Sequence, residues 1–168
     1  MTAQRQERNG CRRGIAFIAL LAGIGVQLGL ELAAQAATTE RVVVNRYTGL
    51  AIGGFDPVAY FTEERPTLGQ PGFEAVEAGT VWRFRNEGNR ASFVAHPDIY
   101  GPQFGGYDPV DVARGVPFAG NPRLWLISGQ RLYLFGREET RDAFAANPAS
   151  FVRQAGQHWA ALQETLAR

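Results

Sequence analysis

The stretch Gly53-Gly54-Phe55-Asp56-Pro57-Val58 returns as Gly105-Gly106-Tyr107-Asp108-Pro109-Val110, 52 positions further along the chain. One residue is then lost, and the matches continue at an offset of 51. Pro66, Gly69 and Pro71 fall on Pro117, Gly120 and Pro122; Val81, Trp82 and Phe84 fall on Leu132, Tyr133 and Phe135. Arg90, Phe93, Ala95, Pro97 and Tyr100 fall on Arg141, Phe144, Ala146, Pro148 and Phe151. Self-similarity in a fixed register means that one supersecondary unit occurs twice, and this duplication decides the fold.

Each copy carries the same local signals. In Asp56-Pro57 and Asp108-Pro109 the aspartate is placed as a helix N-cap, with proline at the first helical position where its missing N–H costs nothing. A hairpin rich in aromatic and branched residues is expected over 73–77 with 80–85, and again over 123–127 with 131–135, turning at Gly79 and Gly129. A helix follows in each copy and ends where Pro97 or Pro148 restricts the residue before it. The second copy runs on into a longer helix. There Phe151, Ala155, Trp159, Leu162 and Leu166 share one face, which is expected to lie across both hairpins.

A unit of two strands and a short helix cannot bury its apolar face alone, whereas two such units can cover each other. The expectation is an α+β domain of two pseudo-symmetric ββα units packed together, with a C-terminal amphipathic helix. The first repeat spans 51–104 and the second 105–168, after a lead-in over 37–50. Trp82, Phe84, Phe93, Tyr133, Phe135 and Phe144 should be central to its core.

Composition agrees with one packed domain: 168 residues, 45% hydrophobic and 20% charged. A formal net charge of +1 gives no electrostatic case for nucleic acid. Four arginines (Arg5, Arg8, Arg12, Arg13) precede an apolar run from Ile15 to Leu30, and Ala34-Gln35-Ala36 then offers a small-x-small site. That is the order of a secretory signal peptide over residues 1–36, with cleavage after Ala36 and a periplasmic or secreted destination. Arg12-Arg13 also fits a twin-arginine signal weakly, since Cys11 stands where Ser or Thr is usual. After cleavage no membrane span is expected. Cys11, the sole cysteine, would leave with the leader, which removes disulfides, zinc–thiolate sites and a cysteine nucleophile together.

Phe55-Asp56-Pro57-Val58-Ala59-Tyr60-Phe61, Trp82-Arg83-Phe84 and Tyr100-Gly101-Pro102-Gln103-Phe104-Gly105-Gly106-Tyr107 together resemble the YHS-domain family. The likeness extends over residues 50–166. It implies small ββα units of the kind found in exported bacterial proteins and beside copper-transporting pumps, sometimes handling metal through cysteine. Many members carry Cys directly after Gly-Gly-Tyr; this chain has Asp108 there. Thiolate metal binding therefore does not carry over to this position.

Features that both copies share are demanded by the fold, and features of one copy are the better candidates for function. On that test Tyr60, His96, Asp98 and Tyr107 are the candidate ligand-binding residues, with a pocket expected between the copies near Tyr60, His96 and Tyr107. If a metal ion binds, His96 is the residue to hold it; the alternative is an exposed or helix-capping histidine, as its counterpart Asn147 suggests. Asp56 and Asp108 read as structural caps. No catalytic residue is assigned, because nucleophile elbows, phosphate loops and haem-attachment motifs are missing from the sequence. The leading expectation is a non-catalytic binding or accessory module connected with a metal or small ligand. The alternative is a structural or protein-interaction module that has lost its ligand site. An enzyme using His96 with Asp98 is the third reading.

Overall fold

The computed structural model describes residues 41–166. The signal peptide expected over 1–36, its cleavage site after Ala36, and Cys11 lie outside the described residues, as does the start of the 37–50 lead-in. The described chain has an α+β fold made of short helices, one longer C-terminal helix and two small antiparallel sheets.

In the first copy, α1 (Ala59–Thr62) leads to the hairpin of β1 (Gln70–Glu77) and β2 (Thr80–Phe84), then to α2 (Glu87–Ala95) and α3 (Pro97–Tyr100). The second copy gives α4 (Pro109–Val112), β3 (Asn121–Ser128), β4 (Arg131–Phe135), α5 (Glu138–Ala146) and α6 (Pro148–Leu166). Both strand pairs and the helix after them keep the same bounds at an offset of 51. Register repeats as well: Ala75 faces Trp82 and Leu126 faces Tyr133, and each sheet carries a bulge between its outer pair and the rest. Each hairpin closes through two residues of positive φ, Ala78 and Gly79 at 51° and 74°, and Gly129 and Gln130 at 56° and 59°. Such turns match the right-handed twist of the strands they join.

The Gly-Gly motif has a conformational cause. Ile52, Gly53 and Gly54 have φ of 42°, 67° and 81°; Phe104, Gly105 and Gly106 have 53°, 61° and 87°. Three left-handed residues in a row cost an L side chain ~1–2 kcal/mol at each non-glycine position, which limits such side chains to one per turn. The turn aims the carbonyl of Gly54 at the N–H of Gly69 (2.9 Å) and that of Gly106 at the N–H of Gly120 (3.0 Å). Those receiving glycines have no room for a side chain. A Cβ on Gly69 would stand 2.5 Å from the carbonyl carbon of Arg83, and one on Gly120 would stand 2.6 Å from the oxygen of Gly106.

The two copies bury their aromatic residues in separate clusters. Trp82, Phe84 and Phe93 pack with Tyr60, Ile52 and Val58, while Tyr133, Phe135 and Phe144 pack with Val110. Leu132 and Leu134, on the opposite face of β4, enter the first cluster. Strand β4 is thus buried on both faces, and it joins the copies. Helix α6 packs against α4 and α5, with Ala155 buried and Phe151, Trp159, Leu162 and Leu166 against Tyr107 and Val112. Its apolar stripe therefore covers the helices of its own copy, whereas the sequence had suggested a path across both hairpins. None of the helices among the described residues is long and apolar enough to cross a membrane.

The close approaches at Gly69 and Gly120 predict that Gly69→Ala and Gly120→Ala each lower unfolding free energy by ~2 kcal/mol or more. Gly156 lies within α6 with open space at its Cβ position, so Gly156→Ala should raise it by ~0.5–1 kcal/mol. Urea denaturation of the three variants checks both signs.

Candidate functional site

Asp56 and Asp108 are fully buried. Oδ1 of Asp56 accepts the backbone N–H of Val58 at 2.8 Å and of Ala59 at 3.3 Å. Its Oδ2 accepts the N–H of Arg85 at 2.7 Å and Nδ2 of Asn89 at 2.6 Å. Asp108 repeats the scheme one copy later. Its Oδ1 accepts from the N–H of Val110 at 2.9 Å, and its Oδ2 from the N–H of Gly136 at 2.8 Å and from the Thr140 hydroxyl. Each carboxylate caps a helical turn while pinning the end of the hairpin and the helix that follows. Both are enclosed by these donors, so neither presents an oxygen to a ligand.

Tyr60 is also fully buried. Its hydroxyl donates to the carbonyl of Pro122 at 2.7 Å, and its ring meets Trp125 edge-on at 5.3 Å. It is a bond between the copies and not a pocket wall. Burial, and behind it the charge of Asp56, pushes the Tyr60 phenol well above the ordinary tyrosine range. Tyr107 is buried beside Val112, Ala113 and Ala155, with Trp159 at 6.0 Å between ring centroids. His96 is exposed at the corner between α2 and α3. Its φ and ψ of −142° and 60° match the −151° and 67° of Asn147, so the corner is a demand of the fold that either residue meets. Tyr60, His96 and Tyr107 do not come together around a cavity, which corrects the pocket expected there. Among the described residues no group of three or more His, Cys, Asp and Glu side chains is placed to hold a metal ion.

Asp98 lines a groove of about 360 Å³, whose lining does not include Tyr60, His96 or Tyr107. Trp82 and Phe93, 4.9 Å apart between centroids, form its floor. Glu77 at the hairpin turn and Asp98 on α3 stand on its sides, and Gly101 and Phe104 border it from the segment linking the copies. The indole Nε1 of Trp82 donates to the Glu77 carbonyl at 3.1 Å, which locks the floor to the turn. Gly105, also on the border, makes a close approach to the chain's own lead-in. A Cβ there would meet the Arg41 carbonyl, and the Gly105 oxygen accepts from the N–H of Val43 at 2.8 Å.

A second groove of about 540 Å³ lies in the other copy. Ser128, Gly129, Tyr133, Pro148, Ala149 and Val152 line it, and their counterparts 51 residues earlier, Glu77, Ala78, Trp82, Pro97, Asp98 and Gly101, all line the first. Sequence reasoning missed Trp82 and Tyr133 as groove residues because their aromatic, strand-borne positions marked them only as core.

The Asp108 scheme predicts that Asp108→Asn, which swaps an acceptor for an amide group facing backbone N–H donors, costs ~2–4 kcal/mol of stability in chemical denaturation. The Tyr60 phenol predicts alkaline sensitivity. Its folded pKa lies above the unfolded value of about 10, so its contribution is complete below that pH. It is lost as pH rises further, at up to ~1.4 kcal/mol per pH unit. Tyr60→Phe should flatten that part of a stability–pH curve. No family model matches this chain, and no curated protein or solved structure is significantly similar to it.

Proposed function

We propose that this protein is an exported, non-catalytic binding module of YHS type whose first-copy groove takes a small ligand. The observation that carries the reading is the groove floored by Trp82 and Phe93 and flanked by Glu77 and Asp98. Its volume is in the range of small-molecule sites, and it combines apolar walls with a few polar groups. Both charged groups on it are carboxylates, so they favour a ligand that brings a cationic or hydrogen-bond-donating group on a flat apolar body. Two carboxylates with no third His, Cys, Asp or Glu grouped with them among the described residues favour a small organic ligand over a metal ion.

The structural or protein-interaction reading draws on exposed Tyr47, Leu68 and Val76. These positions are separate from the groove, so the two readings make different predictions for the same variants. An enzyme built on His96 and Asp98 gains no support, since His96 does not line the groove.

The test uses mature protein from the periplasmic fraction of an expressing bacterium, where its N-terminus is expected at Ala37. Benzylammonium is titrated while the indole N–H resonance of Trp82 is followed. A saturable shift that Asp98→Asn weakens by ~5-fold or more, at unchanged melting temperature, is the expected result. A Trp82 resonance that never moves, or moves equally in the variant, would remove the groove from the reading and leave the interaction module.

A further inference from the structure

The second-copy groove differs from the first in chemistry, though the fold builds both at the same place. Tyr133 is 5% exposed, its ring packed on Phe144 at 4.7 Å between centroids. Trp82, at the same position in the first copy, spends its polar atom on the hairpin carbonyl of Glu77. The Tyr133 hydroxyl makes no hydrogen bond with any of the described residues, and it borders the groove. That hydroxyl is not sealed from solvent, so it faces the groove as a donor that water satisfies and that an acceptor on a ligand can take over.

The rest of the lining narrows what that acceptor is. Glu77 and Asp98 of the first groove are replaced by Ser128 and Ala149, so both carboxylates are gone. Pro102 is replaced by Arg153, which brings the one charge among the lining residues. Pro148, Ala149 and Val152 add apolar surface from the first turns of α6. The 19 residues of that helix run away from the groove, which places its positive dipole end at the site, although Asn147 already accepts from the N–H groups of Ser150 and Phe151. Burial keeps the Tyr133 phenol above the ordinary tyrosine range, although Arg131 works against that; the hydroxyl is therefore a donor at neutral pH.

We infer that the groove of Ser128, Tyr133, Pro148, Ala149, Val152 and Arg153 is a second ligand site, for a small organic acid with one carboxylate on an apolar body. The phenol and the guanidinium donate to the carboxylate, and the body lies on the proline, alanine and valine. A single guanidinium and a helix end suit a monoanion, where a phosphate dianion would call for more positive charge. The site is separate from the first-copy groove, so each can fail without the other.

The test is a titration of ¹⁵N-labelled mature protein with phenylacetate, run beside its neutral amide and 2-phenylethylammonium. Phenylacetate should give saturable shifts at Gly129, Tyr133 and Ala149–Arg153, with a dissociation constant of ~0.1–1 mM for a ligand of this size. The amide and the ammonium ion should bind at least ~10-fold more weakly. Tyr133→Phe keeps the ring on Phe144 and should weaken binding ~5-fold or more. Arg153→Gln changes an exposed side chain and should weaken it at least ~3-fold. Melting temperature should hold in the Arg153 variant, which keeps the test open if the Tyr133 variant folds poorly. Absence of saturable shifts at these residues up to ~10 mM, equal binding of the amide or the ammonium ion, or indifference to Arg153→Gln would each overturn the inference.

Discussion

The fold depends on two buried carboxylates. A carboxylate removed from water costs many kilocalories per mole unless hydrogen bonds replace its hydration. Asp56 and Asp108 meet that demand with backbone amides and neutral side-chain donors drawn from three separate elements. The helical turn after each aspartate, the end of each hairpin and the helix beyond it can satisfy one carboxylate only in one relative arrangement. The unit of two strands and a helix is small, with little apolar area to fix how its pieces meet. Polar closure at a single buried point supplies the specificity that its core alone does not.

A second constraint acts on the backbone before each aspartate. The left-handed turns at Ile52–Gly54 and Phe104–Gly106 deliver the chain to Asp56 and Asp108, and their last carbonyls anchor Gly69 and Gly120. Ile52 and Phe104 adopt a conformation their side chains resist, and both pack into the apolar interior, Ile52 fully buried. Packing offsets the strain, and glycine at the next two positions keeps it to one residue per turn.

Much of this was legible from residues. The offset of 51 located both hairpins, and the Asp-Pro pairs pointed to the capping carboxylates. The helix-side partners of those carboxylates were not legible, because a bond from Asp56 to Asn89 or from Asp108 to Thr140 leaves no local pattern. The test that singled out residues of one copy failed for Tyr60 and Tyr107 for a physical reason. It assumes that both copies stand in the same surroundings, and they do not. Strand β4 is covered on both faces, whereas β2 buries Trp82 and Phe84 and leaves Val81 and Arg83 partly exposed. Tyr60 differs from Val112 because it reaches Pro122 of the other copy. Tyr107 differs from Phe55 beside α6, a long helix where the first copy has the single turn of α3.

The same asymmetry shows where differences between the copies do carry information about binding. At the groove positions the backbone is held alike by shared features, the hairpin turn and the proline that opens the next helix. Pro97 and Pro148 are therefore kept, and the surrounding side chains are free to change without disturbing the unit. They change together in one chemical direction: Glu77 to Ser128, Asp98 to Ala149 and Pro102 to Arg153 replace negative charge with positive. Packing between the copies explains no such shift, because Glu77, Asp98 and Arg153 are all exposed. Where the scaffold is constant and the exposed lining changes sign, what the lining meets in solution is the remaining physical variable. That separates the grooves from Tyr60 and Tyr107, whose differences the core itself accounts for.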